Sequence, residues 1–195
     1  MRHKTLLSLA AVGLILALCG IVAAQPANPQ VVIKTSKGDI TLELFADKAP
    51  LTVKNFLTYV DAKFYDGTIF HRVMKGFMIQ GGGMTADMAE KPTRAAIRNE
   101  AANRLKNLRG TIAMARLEPP HTATAQFFIN HKDNTQLNHR DTSQDGFGYC
   151  VFGKVLSGID VVDAIASVPV GTIKGYDDVP RQTVTIVSIR RVEAK

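Results

Sequence analysis

Between positions 70 and 83 the chain reads Phe70-His71-Arg72-Val73-Met74-Lys75-Gly76-Phe77-Met78-Ile79-Gln80-Gly81-Gly82-Gly83. Strand-forming residues flank Lys75-Gly76, so a hairpin is expected, with Arg72 on one strand and Phe77, Met78 and Gln80 on its partner. Alternation puts Met78 and Gln80 on one face and Phe77 and Ile79 on the other. Phe77 would join the first face only through local twisting or a bulge near Gly76. A guanidinium beside apolar side chains and an amide can hold a polar chain against an apolar wall. An arginine can equally lie along a core hairpin with its stem buried and its head in water. Spacing alone leaves both readings open.

Other reaction types find no foothold. There is neither a Gly-x-Ser-x-Gly elbow nor a His-Glu-x-x-His pair. His71, His121, His131 and His139 lack regular ligand spacing, so no metal is expected, and nothing calls for a cofactor. Gly81-Gly82-Gly83 is not followed by the Lys-Ser/Thr pair of a phosphate cradle; it reads as a place where two backbones approach closely.

The elements that must position the hairpin follow from periodicity. Residues 31–35 and 40–45 read as two strands joined by a Gly38 turn. Val53, Phe56, Leu57 and Val60 form one face of a short helix that starts at Pro50, where a missing N–H costs nothing. Strands are expected over 68–74, 77–83, 111–115, 126–130, 149–155 and 183–192, and a second helix over 159–167. Residues 84–109 and 131–148 read as polar surface loops. About eight short strands with glycine-rich turns argue for a sandwich or barrel whose ends two helices could plug.

With 195 residues, 46% of them hydrophobic and 21% charged, the composition is that of a globular chain holding one domain. The formal net charge is +7, but the basic residues are scattered and form no run of five, so a solvated surface is expected and no nucleic-acid partner. Met1 to Ala24 stand apart. Arg2 and Lys4 precede an apolar stretch from Leu6 to Val22, and Val22-Ala23-Ala24 offers the small residues of a cleavage site. Residues 1–24 therefore read as a signal peptide, 25–30 as a linker and 31–195 as the domain; an uncleaved membrane anchor is the rival. Cleavage would remove Cys19 and leave Cys150, which lies in a strand-like run and is expected to be buried and inert.

The run Phe70 to Gly82, with Ala125-Gln126-Phe127-Phe128-Ile129 and Val151-Phe152-Gly153-Lys154-Val155, resembles the cyclophilin family of peptidyl-prolyl cis-trans isomerases, in order across residues 31–193. The signal peptide and short 84–98 loop make the chain most similar to exported bacterial, periplasmic members. The resemblance implies a closed eight-stranded antiparallel barrel with two helices. It implies Arg72 as the catalytic guanidinium, Phe77, Met78, Phe128 and Leu137 as walls of a proline pocket, and Gln80 as a donor to the substrate backbone. His71, Ala115 and Gln126 would line the rest of the groove, with Arg116, which replaces a common Asn, at its border. Gln136 stands where cyclosporin-sensitive members carry Trp, which implies weak sensitivity to that drug.

The implied partners are proline-containing peptides and exported proteins that are unfolded or folding. The mature protein would be a monomer with no stable membrane association. The same groove would suit a chaperone that holds proline segments without catalysis; only Arg72 separates the two readings. A barrel enclosing a small ligand is a third possibility, against which stand the bulky residues at interior positions.

Overall fold

Val31 and Ile33 of β1 (Gln30–Thr35) and Ile40, Leu42 and Leu44 of β2 (Gly38–Leu44) are fully buried, while the residues between them reach the surface. That period of two is what one-sided burial imposes on a strand. In a computed structural model that describes residues 28–193, these two strands are part of a closed barrel. The proposed signal peptide, residues 1–24, lies outside the described residues.

The remaining strands are β3 (Thr68–Met74), β4 (Met78–Gly81), β5 (Thr111–Met114), β6 (Phe127–Asn130), β7 (Val151–Ser157), β8 (Val170–Ile173), β9 (Tyr176–Pro180) and β10 (Thr185–Arg191). Around the barrel they run β1-β10-β3-β4-β6-β5-β7-β2, every pair antiparallel. The expected eight-stranded barrel is therefore present. The helices α1 (Pro50–Asp61) and α2 (Ile159–Ala166) bury Val53, Phe56, Val60, Val162 and Ile165 in the same core.

That core is filled. The Phe56 ring lies 5.2–5.7 Å from Tyr65, Phe127 and Phe152, and all four residues are fully buried. Aromatic rings at these separations pack edge-to-face or tilted and leave no room for an enclosed ligand. The glycine run lets backbone and rings meet. A Cβ on Gly81 would stand 2.7 Å from the Ile69 carbonyl, and one on Gly82 2.7 Å from the Phe127 ring.

Several segments differ from their sequence reading, among them 131–148, which turns as a 3₁₀-helix over Thr135–Leu137. β8 and β9 form a separate hairpin where no strand was expected. β8 carries Gly171, and β9 carries Asp177, Asp178 and Pro180, all residues that strands disfavour. Its turn is Lys174-Gly175, both at positive φ, the geometry that suits a two-residue hairpin loop. Burial of Val179 and Ile173 against Ile69, Met84 and Met88 outweighs the poor propensity. The segment 84–109 is also no plain surface loop: it bridges Met84 to Glu90 and Ile97 to Ala123, and turns once as a 3₁₀-helix over Ala101–Asn103. Its Glu100 does the capping that Ala49 cannot, accepting from the Leu51 and Thr52 amides at 3.2 and 2.8 Å and from Thr52 Oγ1 at 2.7 Å. The seventh strand starts at Val151 rather than Tyr149. Cys150 is 3% exposed, and burial pushes its thiol up to about 11, as an inert thiol requires.

Candidate active site

The alternation that fills the barrel also aims side chains outward. On β6, Phe127 and Ile129 enter the core while Phe128 belongs to a second cluster outside it, with Met78 of β4 and Ala113 of β5. Register then aligns one row across four strands: Arg72 pairs with Gln80, Gln80 with Phe128, and Phe128 with Ala113. Neighbouring strands lie about 4.8 Å apart. The row thus sets a cation, an amide and an aromatic ring side by side on one surface.

A bulge on β3 prepares the row. Phe70 pairs with Gly81 and Arg72 with Gln80, so His71 is the extra residue. The hairpin turn brings in Phe77 by a different route from a bulge near Gly76. Phe77 precedes β4, its amide bonded to Met74 O at 3.0 Å, so strand alternation does not govern it. Gly76, at φ +73°, supplies the left-handed residue that this turn needs.

Above the row lies an open cavity of about 230 Å³. Arg72, Phe77, Met78, Gln80, Phe128 and Leu137 line it, joined by Ala115, Arg116 and Tyr149. Eight of the ten residues implied by resemblance are thereby brought together. Gln126 is not among the lining residues but touches one of them, accepting from Gln80 Nε2 at 2.9 Å. His71 is only 5% exposed and does not reach the cavity. Burial and the neighbouring Arg72 charge lower its pKa to about 4, so the imidazole is neutral at ordinary pH.

The two lining arginines do different things. Arg116 is committed to its own surroundings: Nε donates to Gly148 O at 3.1 Å, and Nη1 to Leu117 O and Glu118 O at 2.9 and 2.6 Å. Its guanidinium also stacks 4.6 Å from the centroid of the Tyr149 ring. Arg72 makes no side-chain hydrogen bond among the described residues; its side chain is 43% exposed, with Asp178 Oδ2 3.9 Å from Nε. The free guanidinium over the cavity is Arg72.

A buried amide network holds the loops that supply Phe77 and Leu137. Asn134 Nδ2 donates to Phe77 O at 2.8 Å and to Asn130 Oδ1 at 2.7 Å. Asn130 Nδ2 donates to Asn107 Oδ1 at 3.2 Å, and Asn107 Nδ2 to Leu137 O at 3.1 Å. All three asparagines are fully buried, so their bonds form in low dielectric and keep the walls in place. His131 adds a pin, its Nδ1 accepting from the Gly76 amide at 2.9 Å. The sequence reading missed this network and Tyr149. The asparagines stand in or beside two segments whose composition reads as loop, and periodicity puts Tyr149 inside a strand.

A sealed antiparallel barrel with two helices and an external apolar groove under one free arginine is the cyclophilin architecture. The crystal structure of a Cryptosporidium parvum cyclophilin type peptidyl-prolyl cis-trans isomerase, determined in the presence of the dipeptide Ala-Pro, is 30% identical, with a TM-score of 0.69 over 85% of this chain and 99% of that one. Residues 30–191 match the family described as cyclophilin type peptidyl-prolyl cis-trans isomerase/CLD, and the chain belongs to that family. It is 57% identical over 158 residues to peptidyl-prolyl cis-trans isomerase cyp18 of Streptomyces antibioticus, covering 81% of this chain and 95% of the relative. It is 55% identical over 159 residues to peptidyl-prolyl cis-trans isomerase B of Escherichia coli strain K12, covering 82% and 97%. The protein is an enzyme, a peptidyl-prolyl cis-trans isomerase.

Proposed function

We propose that the chain is exported through residues 1–24 and accelerates X–Pro isomerisation in exported proteins as they fold, with Arg72 stabilising the twisted amide. The observation that carries this reading is that Arg72 alone among the lining cations keeps its guanidinium free of hydrogen bonds, at one edge of an apolar slot.

Rotation about X–Pro faces a barrier of about 18–20 kcal/mol because twisting breaks amide resonance. The uncatalysed step takes tens of seconds or more, long enough to limit folding. No bond is made or broken, so the groove needs only to favour the twisted state over both planar ones. As the amide twists, its nitrogen regains a lone pair. A donor aimed at that lone pair acts only then, and a guanidinium fork stays charged while doing so. The twisted amide is also less polar than the planar one, which suits the Phe77, Met78 and Phe128 walls. These walls grip the proline ring through apolar burial, at about 25 cal/mol per Å². Gln80 holds the adjoining backbone so that one side of the bond turns against a fixed other side.

The test is turnover on an Ala-Pro peptide, followed by NMR exchange or a protease-coupled assay. Arg72→Ala and Arg72→Lys should each lower the rate by about two orders of magnitude, roughly 2.7 kcal/mol. Lysine fails because it keeps the charge and loses the fork. Rates near those of the unmodified enzyme in both variants would end the mechanism. Suppressed aggregation of unfolded clients that survives Arg72→Ala would favour the holding function instead. Mass spectrometry of the exported protein should find Gln25 at its N-terminus; residues 1–24 still attached would favour the membrane anchor.

A further inference from the structure

The hairpin that sequence patterns conceal brings a carboxylate to the catalytic site. Asp178 of β9 places Oδ2 3.9 Å from Arg72 Nε, an ion pair too long to be a hydrogen bond. Among the described residues, Arg72 has no other carboxylate within 4 Å. The approach is built into the fold. Val179, the next residue, is 3% exposed and packs with Ile173 against Ile69, Met84 and Met88, which clamps the hairpin onto β3. Asp178 itself takes φ +59°, a region that few residues with a side chain enter and that aspartate tolerates better than most. The adjoining carboxylate is spoken for inside the hairpin, since Asp177 Oδ1 accepts from Thr172 Oγ1 at 2.6 Å.

We propose that Asp178 is a positioning residue for isomerisation. It attracts Arg72 from the Nε side and so biases a long, half-exposed side chain toward the rotamers that hold its terminal nitrogens over the groove. The proposal rests on the reading that Arg72 stabilises the twisted amide. Charge on the Nε side leaves both terminal nitrogens unpaired, which is the arrangement a donor to substrate needs. Both partners are partly exposed, so the bias is modest and screened by salt. The step it governs is the rotation itself, since the proline grip belongs to the apolar walls. Loss of Asp178 should therefore lower kcat and spare KM.

Asp178→Asn removes the charge while keeping the shape and the tolerance for positive φ. It should lower kcat on an Ala-Pro peptide about threefold with KM and melting temperature unchanged. In an Arg72→Lys background the same change should cost nothing further. Raising salt from about 10 mM to about 1 M shortens the screening length from about 30 Å to about 3 Å. The unmodified enzyme should then slow toward the Asp178→Asn rate, and the variant should hold steady. An unchanged kcat in Asp178→Asn, or an equal loss in both backgrounds, overturns the positioning role and leaves the Arg72 mechanism standing. Full activity in Arg72→Lys alone overturns that mechanism, and the positioning role with it. Should Asp178→Asn loosen the hairpin, the salt response decides: a kcat of the unmodified enzyme that ignores salt overturns the proposal.

Discussion

Gln80 Nε2 donates to Gln126 Oε1 across 2.9 Å, joining β4 to the residue that leads into β6. Gln126 in turn lies against Gly83: a Cβ there would overlap Gln126 Cγ and stand 2.6 Å from its Nε2. A glycine three residues beyond Gln80 thus leaves the room in which its partner sits.

Gly83→Ala should therefore act on catalysis without touching the groove. Its backbone φ is not in the left-handed region, so the cost falls on Gln126, whose side chain must swing away from Cγ outward. Losing that hydrogen bond should cost about 1 kcal/mol of stability, a melting temperature lower by about 2–4 °C, and the freed Gln80 should lower kcat/KM. Gln126→Ala should give a similar loss, and adding Gly83→Ala to it should cost nothing more. Peptide turnover and thermal melts of the three variants check this.

His71 predicts a pH dependence of stability. Its folded pKa of about 4 lies below the ordinary 6.5, because burial and Arg72 oppose the imidazolium. Between those values the unfolded chain takes up a proton that the folded chain refuses. Stability is complete above about pH 6.5 and falls as pH drops toward 4, by up to about 3 kcal/mol. Asp66, whose carboxyl Arg190 holds below its usual value, contributes losses only at more acid pH. Urea midpoints at pH 7 and pH 4.5 should differ in the unmodified protein. That difference should shrink in His71→Gln, whatever the variant's absolute stability.

Glu100 predicts a stability effect separate from activity. Its carboxylate takes three donors from the first turn of α1 and does not line the groove. Glu100→Ala should cost about 0.5–2 kcal/mol, the range for loss of a helix cap, and leave kcat/KM alone. Glu100→Gln should cost less, because one acceptor oxygen remains. Urea unfolding beside peptide turnover separates the two effects.

Much of the fold was legible because burial writes itself into short-range periods. Val31 and Ile33, then Ile40, Leu42 and Leu44, announce strands with one buried face, and Val53, Phe56, Leu57 and Val60 announce a helix. β8 and β9 stayed hidden because glycine, aspartates and proline carry no such period, and packing on Ile69 and Met84 overrules their local preference. Phe77 illustrates the same limit at the site: alternation would turn it away from Met78, and a turn outside the strand brings it back.

The order of residues by itself determined which positions face the barrel interior, where Pro50 starts a helix, and which side chains could serve the chemistry, through three motifs that match one family. Only the tertiary structure decided that positions 72, 80, 128 and 113 form a single row, that Arg116 is tied down while Arg72 is free, and that Asp178 stands beside it. The reason is physical. One-sided burial repeats every two or four residues and is visible in any short window, whereas the register between distant strands is settled by closure of the barrel as a whole.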